Sequence, residues 1–212
     1  MTDKGMFITV EGGEGVGKST NINTIKNFLE QNDIDFIHTR EPGGTLIAEK
    51  IRDVLLQEHE EQFDSTAELL LMFAARAQHL NTKIKPALDA GIWVLCDRFT
   101  DATYAYQGGG RNLDSSLIAQ LESLVQGELR PDLTLILDLD PEAGLDRARK
   151  RGELDRIEQE QLQFFVDVRK TYQNIANREP ERCVVIDASR NMEEVKASVE
   201  QVLLDRLGDR LP

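Results

Sequence analysis

Gly12-Gly13-Glu14-Gly15-Val16-Gly17-Lys18-Ser19 is the stretch of sequence that decides the fold. It lies between an apolar run at residues 6–10 and an amphipathic run that begins at Lys18. A glycine, four residues, glycine, lysine and serine between a strand and a helix are typical of a phosphate-binding loop. The glycines let the backbone turn tightly, so that successive N–H groups and the helix N-terminus face phosphate oxygens. The pattern therefore predicts a site for a nucleoside triphosphate.

Each residue type in this loop has a predicted task. Lys18 is predicted to act as a catalytic cation on the β- and γ-phosphates of ATP, and the Ser19 hydroxyl is predicted to hold Mg²⁺. The residues predicted to bind ATP are Gly12, Gly13, Glu14, Gly15, Val16, Gly17, Lys18, Ser19 and Thr20.

The hydrophobic pattern outside the loop alternates between short apolar runs and longer amphipathic runs. Strands are predicted over residues 6–10, 36–38, 92–96, 133–137 and 184–186. Helices are predicted over residues 18–30, 45–57, 65–90, 114–126, 142–150, 157–177 and 193–207. This alternation predicts an α/β fold of the P-loop NTPase type, with a parallel five-stranded sheet and helices on both faces. The chain is predicted to form a single domain over residues 1–212.

Composition excludes several classes of protein. The 212 residues carry a formal net charge of −13, whereas proteins that bind nucleic acids are normally basic. No apolar run reaches the ~18 residues needed to span a bilayer, and the short polar start does not resemble a signal peptide. Cys96 and Cys183 lie in apolar runs, which favours two reduced core residues in a cytoplasmic protein without a disulfide.

A phosphate loop alone does not distinguish a switch GTPase, a motor and a kinase. The chain has no Asn-Lys pair, and its Asp-x-x-Gly string at residues 205–208 lies at the end of the last predicted helix, so a switch GTPase is disfavoured. A kinase for a small acceptor needs a second, arginine-lined phosphate site. It also needs a basic lid that excludes water, because water would otherwise hydrolyse ATP.

Asp97-Arg98-Phe99 supplies the second phosphate site in this interpretation. Asp97 ends a predicted strand beside the loop, where its carboxylate can hold Mg²⁺. Arg98 can bind an acceptor phosphate with two parallel hydrogen bonds. Asp138 ends another predicted strand and is a second, less favoured candidate for the metal.

The lid is predicted over residues 147–158. Four cations occur within five residues there, which a stabilising role does not readily explain because neighbouring like charges repel. The functional interpretation is that one or two arginines neutralise the transferring phosphoryl group. A solvated helix end is the simpler alternative. The cations are Arg147, Arg149, Lys150 and Arg151.

Several strings resemble one family, the bacterial thymidylate kinases (dTMP kinases), which are P-loop nucleoside monophosphate kinases. They are Arg-Glu-Pro-Gly-Gly-Thr at 40–45, Phe-Ala-Ala-Arg at 73–76, Asp-Arg-Phe at 97–99, Tyr-Gln-Gly-Gly-Gly-Arg at 106–111 and the lid string at 149–156. The resemblance implies phosphorylation of dTMP to dTDP by ATP with Mg²⁺, in the supply of dTTP for DNA synthesis. It also implies a homodimer.

The resemblance carries roles over to matching positions. Arg98 is expected to hold the dTMP phosphate as a catalytic residue, Arg76 and Thr103 to face the thymine, and Tyr106 to crowd the sugar 2′ position. Glu14 in the loop and an arginine-rich lid imply that Arg149 or Arg151 completes the catalytic set. The residues expected to bind the substrate are Glu14, Pro42, Met72, Phe73, Arg76, Arg98, Thr103, Tyr106 and Gln107.

One position departs from the family pattern, and two further local predictions concern a proline and a run of glycines. The family's thymine-stacking phenylalanine corresponds to Met72, so either Met72 or Phe73 is expected to pack on the base. Pro42 is expected to follow a cis peptide bond, as its family counterpart often does. The glycines at 108–110 are not followed by Lys-Ser or Lys-Thr and are interpreted as a flexible turn.

Overall fold

Within residues 4–152 and 154–211, which this computed structural model describes, five strands form one sheet. The strand order is β2-β3-β1-β4-β5, and every neighbouring pair is parallel. The strands are β1 Phe7–Gly12, β2 Phe36–Arg40, β3 Trp93–Asp97, β4 Leu133–Asp138 and β5 Cys183–Asp187. Each predicted strand is present and extends one or two residues beyond its predicted end.

Helices connect the strands, as parallel pairing requires. They are α1 Lys18–Gln31, α2 Leu46–Leu56, α3 Ser65–His79, α4 Lys85–Asp89, α5 Thr100–Thr103, α6 Ser115–Gln126, α7 Pro141–Arg151, α8 Leu162–Arg178 and α9 Met192–Leu207. A π-helical turn, Leu80–Ile84, joins α3 to α4. It lies directly before Pro86 in the first turn of α4, and this proline has no N–H to donate to the helix. A second π-helical segment, Tyr104–Gly110, continues α5.

The core lies on both faces of the sheet. Ile8 and Val10 pack with α1 and α9 on one face, whereas Phe7 packs with residues of the Leu80–Ile84 turn and α4 on the other. All six residues of β1 are buried, as expected for a central strand with helices on both sides. The predicted parallel five-stranded sheet with helices on both faces is therefore confirmed.

Two local predictions were wrong. The helix predicted from residue 157 begins at Leu162, because the Asp155 carboxylate accepts hydrogen bonds from the backbone N–H groups of Ile157 and Glu158 and closes a separate turn. The glycines at 108–110 belong to the π-helical segment and not to a flexible turn. A Cβ on Gly109 would lie 2.3 Å from Thr171 Oγ1, so these glycines allow α8 to pack closely.

Other features agree with the sequence. Cys96 and Cys183 are buried and unpaired, as predicted. Among the helices of residues 4–152 and 154–211, none combines the length and the apolar character needed to cross a bilayer.

Candidate active site

A cavity of about 500 Å³ opens at the carboxyl ends of β1, β2 and β3. It is lined by segments that directly follow these strands, which is where ligands bind in parallel α/β sheets. The predicted site residues on its wall are Glu14, Gly15, Val16, Gly17, Lys18, Ser19, Thr20, Pro42, Met72, Arg76, Asp97, Arg98, Thr103, Tyr106 and Gln107. Segments distant in sequence therefore meet at one site.

The phosphate loop wraps around the ammonium group of Lys18. Gly17 has a φ of 87° and leads directly into α1, so the positive end of that helix faces the cavity. Lys18 Nζ donates to Gly13 O at 2.7 Å and to Gly12 O at 3.3 Å. Burial, and then the charge of Arg98, lower the pKa of Lys18 to about 8. A bound phosphate would supply the negative charge that favours the ammonium form.

Arg98 lies directly against this loop. Its φ of 66° turns the chain sharply after β3. Nη1 donates to Gly12 O at 2.8 Å, and Nη2 donates to Glu14 Oε1 at 2.7 Å. The guanidinium carbon lies 4.7 Å from the centre of the Tyr106 ring, and the Tyr106 hydroxyl also donates to Glu14 Oε1. An arginine side chain and a nest of backbone amides, both able to bind phosphate, are therefore adjacent.

Asp97 has a carboxylate oxygen that suits a metal. Its Oδ1 is buried and has no hydrogen-bond partner in the part of the chain that the structure describes. Asp138, the other candidate, is occupied by a bidentate ion pair with Arg169 at 2.8 Å for each contact. No group of three or more His, Cys, Asp or Glu side chains in the described ranges could form a metal cage. The available carboxylate of Asp97 fits Mg²⁺, which is usually held by one or two carboxylates together with substrate phosphates and waters.

Arg76 lines the cavity and is held there by several contacts. Nε donates to Glu41 Oε2 at 2.6 Å, and Nη2 donates to Thr103 Oγ1 at 2.9 Å. Nη1 is buried and has no hydrogen-bond partner within the described residues. The guanidinium lies between two rings, 4.8 Å from Phe73 and 5.1 Å from Phe99.

The choice between Met72 and Phe73 has a geometric basis. Met72 lines the cavity, whereas Phe73 is 2% exposed and packs behind Arg76 in a cluster with Leu69 and Ile118. The Glu41–Pro42 peptide bond is cis, as expected from the resemblance.

The arginines of α7 occupy different environments. Arg147 lines the cavity and donates to Ala188 O at 3.3 Å. Arg149 is 62% exposed, pairs with Asp146 at 3.2 Å and does not line the cavity. Arg151 is the last residue of α7, and its side chain lies outside the described part of the structure.

A pair of glycines brings α7 into contact with the phosphate loop. A Cβ on Gly15 would lie 1.9 Å from Gly144 O, and a Cβ on Gly144 would lie 2.4 Å from Glu14 O. Such distances are well inside van der Waals contact, so only glycine fits at either position. The packing places Arg147, about one turn after Gly144, on the wall of the cavity.

Comparison with known proteins identifies the family. The Thymidylate kinase family profile matches residues 10–199. The chain belongs to the thymidylate kinase family. A thymidylate kinase from Hahella chejuensis is 56% identical over 204 residues, which cover 96% of this chain and 98% of that protein. One from Chromohalobacter salexigens is 57% identical over 205 residues, with coverages of 96% and 97%.

A solved structure extends the similarity to three dimensions. The crystal structure of thymidylate kinase from Ehrlichia chaffeensis is similar with a TM-score of 0.75 at 37% identity, covering 94% of this chain and 98% of that one. The predicted P-loop kinase fold is thereby confirmed.

Some cavity residues of this thymidylate kinase family member were not predicted. Arg52 of α2 lines the cavity and donates to Pro42 O at 2.9 Å, and burial, followed by the charge of Arg40, lowers its pKa. Asp155 and Ile157 also line the cavity; they lie in the segment predicted as the lid but were not predicted as binding residues. Arg52 is one of several charges on an amphipathic helix, so the sequence pattern gave no signal. Gly144 lies within the helix predicted over residues 142–150, and a glycine at such a position was a signal in the sequence that this helix, α7, packs closely against another segment.

Glu11 supports Arg98 from beneath the loop. Its Oε1 accepts from Phe99 N at 2.6 Å, and its Oε2 accepts from the Tyr172 hydroxyl at 2.7 Å. That hydroxyl accepts in turn from Arg98 Nη1 at 3.3 Å. Burial, and then the charge of Asp101, raise the pKa of Glu11 to about 8, although Arg98 and both hydrogen bonds lower it.

The raised pKa of Glu11 predicts that stability falls as pH rises from about 4.5 to about 8. The unfolded chain releases this proton near the ordinary value of 4.5, whereas the folded protein keeps it up to about pH 8. The folded state therefore binds more protons between these values, and stability falls as pH rises through the window. Between pH 6 and 8, the free energy of unfolding measured in urea should decline by about 1 to 3 kcal/mol less in Glu11→Gln than in the wild-type protein.

The matched control for this measurement is Glu30→Gln, on the exposed side of α1. It should follow the wild-type decline. Equal declines in the wild-type protein and Glu11→Gln would contradict the prediction.

Proposed function

We propose that this chain transfers the γ-phosphoryl group of ATP to dTMP and releases ADP and dTDP. The observation that carries the proposal is the 2.8 Å contact between Arg98 Nη1 and Gly12 O, because it brings a guanidinium for an acceptor phosphate against the loop for the donor phosphates. Membership of the thymidylate kinase family supports the same acceptor.

Catalysis in this proposal consists of positioning and charge neutralisation. The loop amides and Lys18 hold the phosphates of ATP, while Arg98 holds the phosphate of dTMP in line with the γ-phosphoryl group. The acceptor oxygen is already anionic at neutral pH, so no strong base is required. Ser19 and Asp97 are the residues that would hold Mg²⁺, which neutralises phosphate charge when it is bound.

One wall of the cavity, which we call the acceptor wall, supports recognition of a pyrimidine base. It consists of Pro42, Met72, Arg76, Thr103 and Gln107. Arg76 Nη1 is a buried donor able to bind a base carbonyl, and Thr103 and Gln107 are buried polar residues of the same wall. Met72 and Pro42 supply apolar surface for packing against the base. Phe73 then acts by holding Arg76 from behind.

The lid predicted over residues 147–158 is part of the proposal. Arg147 on the cavity wall supports a role for α7 in shielding the transferring group. Arg149 and Arg151 remain the predicted donors to that group, and movement of the segment is likewise a prediction.

Tyr106 is proposed to discriminate against ribose. Its ring is fixed by the hydroxyl contact to Glu14 at 2.6 Å and by the Arg98 guanidinium. Tyr106→Ala should raise kcat/KM for UMP relative to dUMP by about 10-fold, because removing a steric clash is typically worth 1–3 kcal/mol. Tyr106→Phe keeps the ring and serves as the control, so its deoxyribose preference should be unchanged. An unchanged ratio of kcat/KM for UMP to kcat/KM for dUMP in Tyr106→Ala would contradict the steric role of Tyr106.

The test of the function itself is incubation with ATP, Mg²⁺ and dTMP, followed by chromatographic separation of the nucleotides. Equal amounts of ADP and dTDP are expected. Preference for dUMP or CMP in the same assay would correct the acceptor. ADP without any phosphorylated acceptor would instead indicate an ATPase that works as a switch or assembly factor.

A homodimer is also proposed. Leu70 on α3 and Leu117 and Leu124 on α6 are exposed, and Leu124 is 80% exposed on a helix that packs against α3. Exposed apolar side chains on adjacent helices are suited to an interface between copies. Sedimentation velocity should show twice the mass of the chain. The cytoplasmic location stays a prediction.

A further inference from the structure

Glu68 is a buried carboxylate outside the cavity that joins three separate segments. It lies in the first turn of α3 and is 1% exposed. Its Oε1 accepts from Gln107 Nε2 at 2.9 Å and from Arg111 Nε at 3.2 Å. Its Oε2 accepts from Arg156 Nη2 at 2.5 Å and from Arg111 Nη2 at 3.3 Å. One side chain therefore connects α3, the Tyr104–Gly110 segment with Arg111, and the chain that follows α7.

Arg156 fixes the chain after α7 to the C-terminal end of α2 and to the segment that follows it. Its Nε donates to Leu55 O at 2.8 Å, its backbone N–H donates to Leu56 O at 3.2 Å, and its guanidinium lies 4.8 Å from the centre of the Phe63 ring. The neighbouring Asp155 and Ile157 line the cavity. Loss of the Glu68 contact would therefore weaken the attachment of this part of the cavity wall.

Gln107 and Arg111 form the second arm of the network. Gln107 lines the cavity, and its amide nitrogen is engaged by Glu68, so its carbonyl oxygen is left to accept a hydrogen bond. Arg111 pairs with Glu160 and packs on the Phe164 ring at 4.9 Å. Residues 154–160 are thus tied to Glu68 through Arg156 directly and through Arg111 and Glu160.

The charge balance keeps Glu68 ionised. Burial by itself would raise the pKa of this carboxyl, but the hydrogen bond from Gln107, the charge of Arg111 and the bonds from both guanidinium groups lower it overall. A buried carboxylate that is paired in this way holds its partners in fixed positions, and removing its charge leaves two guanidinium groups without their shared counter-ion.

We propose that Glu68 is a positioning residue for the acceptor nucleotide. It holds Gln107 and residues 154–160 in fixed positions relative to α3, the helix that carries Met72 and Arg76. The inference rests on the proposed function. Glu68 does not touch the substrate in this arrangement; it acts through Gln107 and Arg156.

The test is a double-mutant cycle with Glu68→Gln and Arg156→Gln. Each variant should raise the KM for dTMP by about 10-fold, because displaced positioning groups weaken productive binding. The KM for ATP should change less than about 2-fold, since the network does not contact the phosphate loop. The double variant should be no worse than the poorer single variant, because both changes break the same contact. Glu68→Asp keeps the charge and should recover part of the loss.

Arg182→Gln is the matched control. It breaks another buried pair, with Asp101 at 2.7 and 2.9 Å, on side chains that do not line the cavity. It should leave both KM values unchanged even if it lowers stability. Equal effects of Glu68→Gln and Arg182→Gln on the KM for dTMP, or additive effects in the cycle, would overturn the inference.

A second measurement separates this inference from the proposed function. Tryptic cleavage after residues 147–151, mapped by mass spectrometry on the free protein, should be about 5-fold faster in Glu68→Gln than in wild type or Arg182→Gln, because release of the anchor favours local opening. Cleavage at the wild-type rate would contradict the anchoring. A wild-type protein that makes no dTDP would contradict the function alone.

Discussion

Arg98→Ala is expected to lower kcat/KM for dTMP by about 10²- to 10³-fold, the usual loss when a preorganised donor to reacting charge is removed. The side chain contacts Gly12 O and Glu14 of the phosphate loop and lines the cavity. In the proposed mechanism its loss removes the ligand of the acceptor phosphate and leaves the Glu14 carboxylate beside the phosphates. Steady-state rates with dTMP varied at saturating ATP measure the effect.

Two further arginine variants make this result specific. Arg98→Lys keeps the charge but not the paired donors, so its activity should lie between wild type and Arg98→Ala. Arg130→Ala removes an arginine that is 43% exposed, pairs with Glu122 and does not line the cavity, and it should behave as wild type. If kcat/KM fell by less than about 3-fold in Arg98→Ala, Arg98 would not be a ligand of the phosphate, because the loss of even one such donor normally has a far larger effect.

Gly144→Ala should have the second-largest effect, a fall in kcat of about 10²-fold together with a higher KM for ATP. The new Cβ would lie 2.4 Å from Glu14 O, so either the phosphate loop or α7 must move. A displacement of about 1 Å near the reacting groups can cost this much rate. Because the acceptor wall is not displaced directly, the KM for dTMP should change less than the KM for ATP.

The control for this substitution is Gly208→Ala, where an added Cβ meets nothing within 4 Å. It should leave the kinetic constants unchanged. If Gly144→Ala retained wild-type kcat and KM for ATP, the close packing of α7 on the loop would have no role in catalysis.

The sheet and the position of the phosphate loop were accessible from the sequence because they depend on local patterns. Apolar runs of the strands are buried on both faces, and the spacing of Gly12, Gly17 and Lys18 fixes a loop between a strand and a helix. Asp97 and Arg98 were found for the same reason, since the carboxyl end of a strand in a parallel sheet is a defined place.

Features that depend on contacts between distant segments were not accessible. The glycines at 108–110 look like a turn in sequence, but a Cβ on Gly109 or Gly110 would collide with Thr171 or Phe164 of α8. The start of α8 was misplaced because the Asp155 side chain captures two backbone amides. The position of Phe73 behind Arg76, and not on the cavity wall, depends on the rotation of α3 against α6, which helical periodicity alone does not determine.

The clamp around Arg76 has a consequence for ligand design. Two aromatic rings, Glu41 and Thr103 immobilise this guanidinium before any ligand arrives, so its rotamer entropy is lost during folding and not on association. A rigid heterocycle with a carbonyl oxygen facing Nη1 would meet a preorganised donor. Inhibitors of this enzyme should therefore gain more affinity from stiffening their own scaffold than from adding flexible contacts.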